Sequence, residues 1–427
     1  MASKKILCPY CFEEFNNTDA MYQCDSEERN IDGSYRCDRV TAVEYDQYWG
    51  ANNLMIRYVW PQKSGFFSRL KGPNLKSEKC PQCGYLSRRF VCPHCYNWIP
   101  EDMVKNGAEI ISVIGSPSSG KTHYIVALIH QLMSCGFRLD LEVHPTQIYR
   151  DGHKEESTQN RFIELDRQLF KNKEVLNKTR EDQIDIPWIF HLVQQRTDKH
   201  IYLVFYDTAG EKFDTVSEIK KNAKYLKESS AVIVILDTLA IKHVSDVLEE
   251  EGIAGGGKTE DSLHAIITSM NELGDELSKD KPVAFVLSKF DTVLDLSGKL
   301  GISTDEFKRG NSRINSSYVN SGIVDMDKIN GISGAIEDVL SGEWNCDESL
   351  GGSIVKFARR WGSKKNEKRS FSEFDKNDPD NNYKFFGVSA LGGMPETLKD
   401  KKVEPYRVMD PLVWVLKKLG QFDIPSK

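Results

Sequence analysis

Two stretches of the sequence carry the spacing of a phosphate-binding loop. Residues 115–122 read GSPSSGKT and residues 252–259 read GIAGGGKT, so each has a glycine, four residues and then Gly-Lys-Thr. In such a loop, backbone N–H groups surround the phosphates, the lysine ammonium adds positive charge and the threonine hydroxyl ligates Mg²⁺. The chain therefore has either two nucleotide sites, or one site and one unrelated match.

The surroundings of the first stretch favour a nucleotide site. The run AEIISVIG (108–115) is short, apolar and rich in β-branched residues, and THYIVALIHQLM (122–133) has a helical pattern. A strand, a loop and a helix in this order place N–H groups and a helix N-terminus around a phosphate. The residues assigned to phosphate binding are Gly115, Ser118, Ser119, Gly120, Lys121 and Thr122. Of these, Lys121 is also the expected catalytic cation and Thr122 a magnesium ligand.

The surroundings of the second stretch do not favour one. The nearest upstream apolar run, AVIVILD (231–237), ends about fifteen residues earlier, and the charged, helix-like segment KHVSDVLEEE (242–251) intervenes. A loop that follows a helix is not delivered to the carboxyl edge of a strand. We therefore interpret Lys258 as a solvated loop lysine and predict one nucleotide site.

Two polar residues follow the next apolar run at positions suited to Mg²⁺ and the γ-phosphate. In HIYLVFYDTAGE (200–211), Asp207 ends the predicted strand and would hold Mg²⁺, generally through water. Gly210 lies three residues further on and would offer its N–H to the γ-phosphate. Hydrolysis would break that contact and release the segment, which is the behaviour of a switch.

Later strands end in residues suited to a guanine base. PVAFVLSKFD (282–291) ends in Ser-Lys-x-Asp, and Asp291 would accept hydrogen bonds from guanine N1–H and N2–H₂, a donor pair that adenine lacks. The Lys289 stem would lie over the purine face. YKFFGVSALG (383–392) ends in Ser389 and Ala390, and the Ala390 N–H would meet the guanine O6.

Eight of the ten cysteines lie before residue 96, and six of them form Cys-x-x-Cys pairs. Such pairs are typical of zinc ligands in a reducing compartment. The doubled pairs in residues 80–95 predict one zinc site and the remaining four cysteines a second, although the sequence leaves open a crossed pairing between the two groups. The predicted first site is Cys80, Cys83, Cys92 and Cys95, and the second is Cys8, Cys11, Cys24 and Cys37. Four thiolates leave no open position, so both zinc ions would be structural.

The elements that must position these residues change character near residue 105. Before it the chain is rich in cysteine, and after it short apolar runs alternate with helical patterns, which predicts an α/β fold with a mostly parallel sheet flanked by helices. We predict a zinc-binding module at 1–105 and the α/β domain at 106–427. Insertions are expected at about 140–185 and 292–382.

The composition sets limits on partners and location. The net charge of −6 indicates no overall attraction to nucleic acid or membranes, and no stretch approaches eighteen apolar residues. The N-terminus lacks a secretory pattern, so we expect a cytoplasmic protein. Residues 356–371 carry seven basic residues. They could form a patch for nucleic acid, anionic lipid or an acidic partner, but a solvated amphipathic helix is the favoured interpretation.

The ordered set GSPSSGKT, DTAG, SKFD and SAL resembles the Ras-like P-loop GTPases of the translation-factor-related class, over about residues 108–420. The resemblance implies GTP or GDP and Mg²⁺ as cofactors and GTP hydrolysis as the activity. It also requires a switch threonine, for which Thr146, Thr158 and Thr179 are candidates. We choose Thr179, because it lies in a polar loop shortly before a predicted strand.

The chain departs from that family at two positions. Ser288 stands where the family usually has Asn, which affects guanine affinity and the rigidity of the site. Glu211 stands where the family's water-orienting Gln often lies. A carboxylate is repelled by a triphosphate, so the resemblance implies slow hydrolysis or activation by a partner.

A closer resemblance appears at the level of architecture. The knuckles CPYCFEEF and CPHCYNWIP precede the phosphate loop, and VEPYRVMDPLVWVL lies near the end, as in the bacterial zinc-ribbon-linked proteins called double-GTPases, which are encoded in conflict systems. This implies a GTP-dependent switch that works with partner proteins, such as neighbouring-gene products, in bacterial defence.

Two alternative functions remain open. The first is a nucleotide-binding scaffold with a weak or inactive site, motivated by Glu211 and Ser288. The second is a zinc-ribbon protein that binds nucleic acid under GTP control, which the near balance of charge in the cysteine-rich region does not favour.

Overall fold

The fold is taken from a computed structural model of the chain. It describes residues 4–49, 54–62, 76–115, 119–148, 156–177, 186–207, 226–252, 281–300, 324–342, 350–362, 381–393 and 402–420. Within these ranges, no helix combines the length and the apolar character that crossing a membrane requires.

The N-terminal segment is built from very short strands. They are β1 (Lys5–Leu7), β2 (Glu14–Asn16), β3 (Met21–Gln23), β4 (Arg39–Thr41), β5 (Met55–Arg57), β6 (Val59–Pro61), β7 (Glu78–Lys79), β8 (Leu86–Ser87), β9 (Arg89–Val91) and β10 (Trp98–Ile99), with helices α1 (Val43–Trp49) and α2 (Glu101–Asn106). Four of the strands form an antiparallel sheet in the order β10-β9-β3-β6, and the others form three antiparallel pairs. Strands of two or three residues bury little apolar surface, so this segment needs another source of stability.

The rest of the described chain forms a larger α/β unit. Its strands are β11 (Glu109–Gly115), β12 (Leu141–Pro145), β13 (Trp188–Gln194), β14 (Lys199–Asp207), β15 (Ala231–Asp237), β16 (Val283–Ser288) and β17 (Tyr383–Gly387). Its helices are α3 (Lys121–Cys135), α4 (Thr158–Asp166), α5 (Lys242–Glu250), α6 (Phe290–Asp295), α7 (Met326–Ser341), α8 (Leu350–Gly362) and α9 (Asp410–Lys418). A π-helical turn (Arg167–Lys171) extends α4.

The seven strands form one sheet in the order β12-β13-β14-β11-β15-β16-β17. Five neighbouring strands are parallel, namely β14, β11, β15, β16 and β17. β13 runs antiparallel between β12 and β14. Parallel neighbours bring their carboxyl ends to one edge. The predicted α/β architecture is therefore confirmed, and its strand order fits a P-loop GTPase domain.

Both faces of this sheet are buried, which explains the continuous apolar runs of its central strands. On one face, Ile111 and Val113 lie in a cluster with α3 and α9, where Trp414 packs 5.9 Å from Phe386 between ring centroids. On the other face, Ile110 belongs to a cluster that also contains buried cysteines of the N-terminal segment. One apolar cluster thus continues across residue 105, and a domain boundary there stays a prediction.

The predicted insertion at 292–382 contains two helices that pack on the sheet. Glu337 of α7 is fully buried, accepts a 2.7 Å hydrogen bond from Arg359 Nε of α8 and lies 3.1 Å from the Tyr383 hydroxyl of β17. Phe357 of α8 packs edge-on against Phe285. The described part of the basic segment is therefore a helix whose apolar side joins the core and one of whose arginines is paired.

Candidate nucleotide site and metal centres

The phosphate loop leaves β11 at a position where only glycine fits. A Cβ added to Gly115 would lie 2.5 Å from the Ile235 carbonyl oxygen and 2.8 Å from the Ser119 Oγ. At the other end of the loop, Gly120 has a φ of 85° and immediately precedes α3. The first turn of α3 contains no acidic residue, so its N-terminal N–H groups remain electropositive.

Lys121 and Ser119 both lie against Gly115, where the loop begins. The Lys121 side chain is buried, and its Nζ donates a 2.9 Å hydrogen bond to the Gly115 carbonyl oxygen. The Ser119 hydroxyl is also buried and has no hydrogen-bond partner among the residues that the structure describes. A buried cation beside an unsatisfied hydroxyl suits an anionic ligand. Ser118 lies outside the described residues.

The predicted guanine-binding loops meet at the same edge. Ser288 ends β16 and its Oγ donates to the Leu236 carbonyl oxygen at 3.1 Å. Asp291 lies in the first turn of α6 and is 8% exposed. The Phe290 N–H donates to the Val388 carbonyl oxygen at 3.0 Å, which ties the Ser-Lys-x-Asp loop to the end of β17.

The Ser-Ala loop is fixed by its own hydrogen bonds. The backbone groups of Ser389 and Tyr406 pair in both directions, and the Ser389 Oγ accepts from the Gly392 N–H at 2.8 Å. Ala390 packs against the adjacent core. The structure therefore brings together the predicted phosphate, base and Ser-Ala positions along one sheet edge.

Asp237 is a residue of this edge that the sequence reasoning missed. Its carboxylate is 2% exposed, accepts from the Leu239 N–H at 3.1 Å and lies 2.7 Å from Lys289 Nζ. Lys289 itself adopts a left-handed backbone, with a φ of 55°. A signal was present, since Asp237 ends the run AVIVILD in the same way that Asp207 ends its own run.

His123 is a second residue that was missed. It follows Thr122 in α3, and its Nε2 accepts a 3.0 Å hydrogen bond from the backbone N–H of Leu176. Removal from solvent, assisted by the nearby Lys289 ammonium, lowers the pKa of His123 to about 4. The ring is therefore neutral near pH 7 and carries its proton on Nδ1.

The predicted magnesium and switch residues are placed only in part. Asp207 ends β14 beside Val113 of β11, so its backbone lies at the same edge, and Thr122 follows Lys121 in α3. Thr179, Gly210 and Glu211 lie outside the described residues. Their assigned roles stay predictions.

The second Gly-Lys-Thr stretch follows a helix, as we expected when we interpreted it as a match unrelated to nucleotide binding. α5 lies between β15 and Gly252, so the stretch does not continue directly from a strand. Residues 253–280, which include Lys258, lie outside the described residues.

The eight N-terminal thiols form two clusters, but not the two that we predicted. One cluster is Cys8, Cys11, Cys92 and Cys95, and the other is Cys24, Cys37, Cys80 and Cys83. The assignment of Cys80, Cys83, Cys92 and Cys95 to one site is therefore wrong, and the crossed pairing is the one observed. We call the first cluster the outer centre and the second the inner centre.

The strand pairing explains this correction. β8 and β9 occupy most of the stretch between the Cys80–Cys83 pair and the Cys92–Cys95 pair. Because extended backbone advances about 3.3 Å per residue, these strands separate Cys83 from Cys92. β3 pairs antiparallel with β9, with Gln23 opposite Arg89. The chain after Gln23 therefore lies near the start of β9, which places Cys24 beside the Cys80–Cys83 knuckle.

The geometry of both clusters fits a tetrahedral metal. Two Sγ–Sγ pairs lie 3.7 and 3.8 Å apart in the outer centre, and two lie 3.6 and 3.7 Å apart in the inner centre. Four sulfurs bound to zinc at about 2.3 Å would be separated by about 3.8 Å. All four thiol sulfurs of each cluster lie within 4.8 Å of one another.

The three Cys-x-x-Cys turns share one backbone form. In each, the residue after the second cysteine has a positive φ and donates its N–H to the carbonyl oxygen of the first cysteine. These residues are Phe12, Gly84 and Tyr96. The Tyr10 and His94 N–H groups donate to the Sγ atoms of Cys8 and Cys92. N–H groups that point at sulfur stabilise thiolates, which are the form that binds metal.

Comparison with known proteins identifies a family and a relative. Residues 109–330, slightly more than half of the chain, match the model of the Double-GTPase 2 family. The chain is also 23% identical over 245 residues to SaeC of Mycolicibacterium smegmatis, a protein named for a proposed role in ESX-1 scaffolding and assembly. That alignment covers 55% of this chain and 59% of SaeC, so the chain spans about three fifths of the length of this relative.

Proposed function

The chain belongs to the Double-GTPase 2 family, and we propose that it is a molecular switch that binds and hydrolyses GTP and acts through partner proteins. The observation that carries this proposal is the convergence of the GSPSSGKT and Ser-Lys-x-Asp loops at one carboxyl edge of the parallel sheet. Ligands of open α/β sheets bind outside the carboxyl ends of the strands.

The phosphate groups would lie in the loop between Gly115 and α3. The α3 N-terminus and the Lys121 ammonium would bind phosphate oxygens, and the unsatisfied Ser119 hydroxyl supports a ligand at this point. Thr122 and Asp207 would hold Mg²⁺, which, when bound, offsets the negative charge between the β- and γ-phosphates.

The base would lie between the Lys289 and Ala390 loops. Asp291 would accept hydrogen bonds from the guanine N1–H and N2–H₂, and the anchored Lys289 stem would cover one purine face. Isothermal titration with GTP, GDP and ATP tests this assignment. Binding of GTP and GDP with little or no binding of ATP is expected, and ATP that binds as well as GTP would contradict it.

Hydrolysis would proceed by in-line attack of water on the γ-phosphate, with Lys121 stabilising the developing charge. Thr179 and Gly210 would contact the γ-phosphate before hydrolysis and release it afterwards. Two hydrogen bonds support the choice of Thr179: the hydroxyl of Thr146 donates to the Ile189 carbonyl oxygen, and that of Thr158 accepts from the Ile189 N–H. Both hydroxyls are thus already engaged in hydrogen bonds to the backbone of β13. Glu211 would make intrinsic hydrolysis slow or dependent on a partner.

The two cysteine centres would hold one zinc ion each in a structural role. Four thiolates per centre leave no position for a substrate. Reduced thiols in both clusters suit a reducing compartment such as the cytoplasm. Protein partners are favoured because the relative SaeC is named for scaffolding and assembly. A role in a bacterial defence system, with partners encoded by neighbouring genes, extends this proposal.

A scaffold with an inactive nucleotide site is the second candidate. The name of SaeC and the residues Ser288 and Glu211 favour it. GTP hydrolysis by the wild type that disappears in Lys121→Ala would exclude this candidate. Nucleic-acid binding is less favoured, because Phe357 and Arg359 of the basic segment are used within the fold.

A further inference from the structure

One imidazole joins two parts of the nucleotide site. His123 stands one residue after Thr122, and its Nε2 accepts the Leu176 N–H at 3.0 Å. This contact connects the phosphate-binding helix and the stretch 172–177. That stretch leads directly into residues 178–185, which contain Thr179.

The attachment of Leu176 has a polar and an apolar part. The Leu176 side chain is 5% exposed and belongs to the same apolar cluster as Tyr124, the residue after His123. The N–H beside it is partly buried and donates to His123. A partly buried N–H that loses its acceptor is destabilising, so this contact favours one position of Leu176 against α3.

We propose that His123 is a positioning residue that latches residues 172–177 to the phosphate-binding helix and thereby slows nucleotide release. The proposal rests on the proposed GTP-binding function. With the latch closed, the segment that enters the switch is held beside the site. With the latch open, the same segment can move away, and the nucleotide gains a path to solvent.

Release of a fluorescent GDP analogue, mant-GDP, from the zinc-loaded full chain tests this role. His123→Leu keeps a similar volume but removes the acceptor, whereas His123→Gln places an amide oxygen near the position of Nε2. We expect release to be roughly three- to tenfold faster in His123→Leu, because this variant loses one partly buried hydrogen bond. Release from His123→Gln should stay within about twofold of the wild type, as should release from His243→Leu, the control on α5.

Three outcomes would overturn the latch. Unchanged release from His123→Leu, or equally fast release from His123→Leu and His123→Gln, contradicts the latch alone. A wild-type protein that binds no mant-GDP contradicts both the latch and the proposed function.

A second measurement does not depend on whether the variants fold. Hydrogen exchange followed by mass spectrometry on the nucleotide-free wild type should show a protected Leu176 amide. Exchange of that amide at the rate of an open chain would also contradict the latch.

Discussion

The Lys289 ammonium lies 2.7 Å from the Asp237 carboxylate, and this ion pair joins the ends of the neighbouring strands β15 and β16. Asp237 and Ser288 are paired in the parallel register, so the contact spans one strand spacing. Because Lys289 has a left-handed backbone that non-glycine residues seldom adopt, the pair also fixes an otherwise unfavourable loop conformation.

Asp237→Asn should therefore weaken GTP binding. The amide keeps an acceptor for the Leu239 N–H but loses the charge that holds Lys289, so we expect the dissociation constant to rise roughly tenfold. Isothermal titration measures this change. The control is Asp246→Asn, which removes the exposed Lys242–Asp246 ion pair and should leave affinity unchanged. Equal GTP affinities for the wild type and Asp237→Asn would contradict a role of the Asp237–Lys289 ion pair in nucleotide binding.

The two Gly-Lys-Thr stretches should respond differently to the same substitution. Lys121→Ala removes a buried cation from the phosphate loop, and a loss of GTP affinity of at least about tenfold is expected. Lys258→Ala changes the lysine of the second stretch and should leave affinity at the wild-type value. Equilibrium binding of a fluorescent GTP analogue compares them, and a comparable loss in both variants would revive the two-site interpretation.

Metal content distinguishes the observed pairing of cysteines from the predicted one. Cys8→Ser with Cys95→Ser damages only the outer centre, so one zinc ion per chain should remain after mild chelation. Cys80→Ser with Cys95→Ser damages both centres and should leave none. The uncrossed pairing predicts the reverse result for each double variant. Elemental analysis of the chelated proteins gives the zinc count directly.

Acidification should destabilise the protein partly through His191. The pKa of His191 is lowered by removal from solvent and by neighbouring His200 and His144, while Asp102 of α2 opposes the shift. His191 Nε2 lies 3.0 Å from His200 Nδ1, and both rings cannot be charged at this distance without repulsion.

Below pH 6.5 the unfolded chain binds the proton more readily than the folded one, so stability falls as the pH drops from about 6.5 towards the lowered folded-state pKa. The slope from this group is at most about 1.4 kcal/mol per pH unit. Urea unfolding at several pH values should give a shallower pH dependence for His191→Gln than for the wild type. Identical slopes would assign the acid sensitivity to other groups.

The sequence predicted the parts of the site that depend on one strand at a time. Gly115, Ser288 and Ser389 each follow an apolar run, and parallel pairing then brings them to one edge without further information. The side-chain partners at that edge were not predictable, because Asp237 and Lys289 are about fifty residues apart and meet only through sheet register.

The pairing of the cysteines could not be predicted from the sequence, for a related reason. Spacing favours ligands that are close in sequence, but strands of two and three residues between the knuckles place Cys83 and Cys92 in different centres. His123 was missed for another reason, since one histidine in an apolar helix usually serves packing. Its contact with Leu176 spans 53 residues, and no local pattern reports such a bond.

The nesting of the two cysteine clusters in the sequence limits the order in which they can be completed during synthesis. The inner centre uses residues 24–83 and can close as soon as Cys83 has left the ribosome, whereas the outer centre must wait for Cys92 and Cys95. Closing the inner loop first shortens the free chain that the outer closure must bring together. Cys8 and Cys11 are thus synthesised first, but the outer centre that contains them can be completed only after Cys95 has emerged. This point comes just before the strand that leads into the phosphate loop emerges.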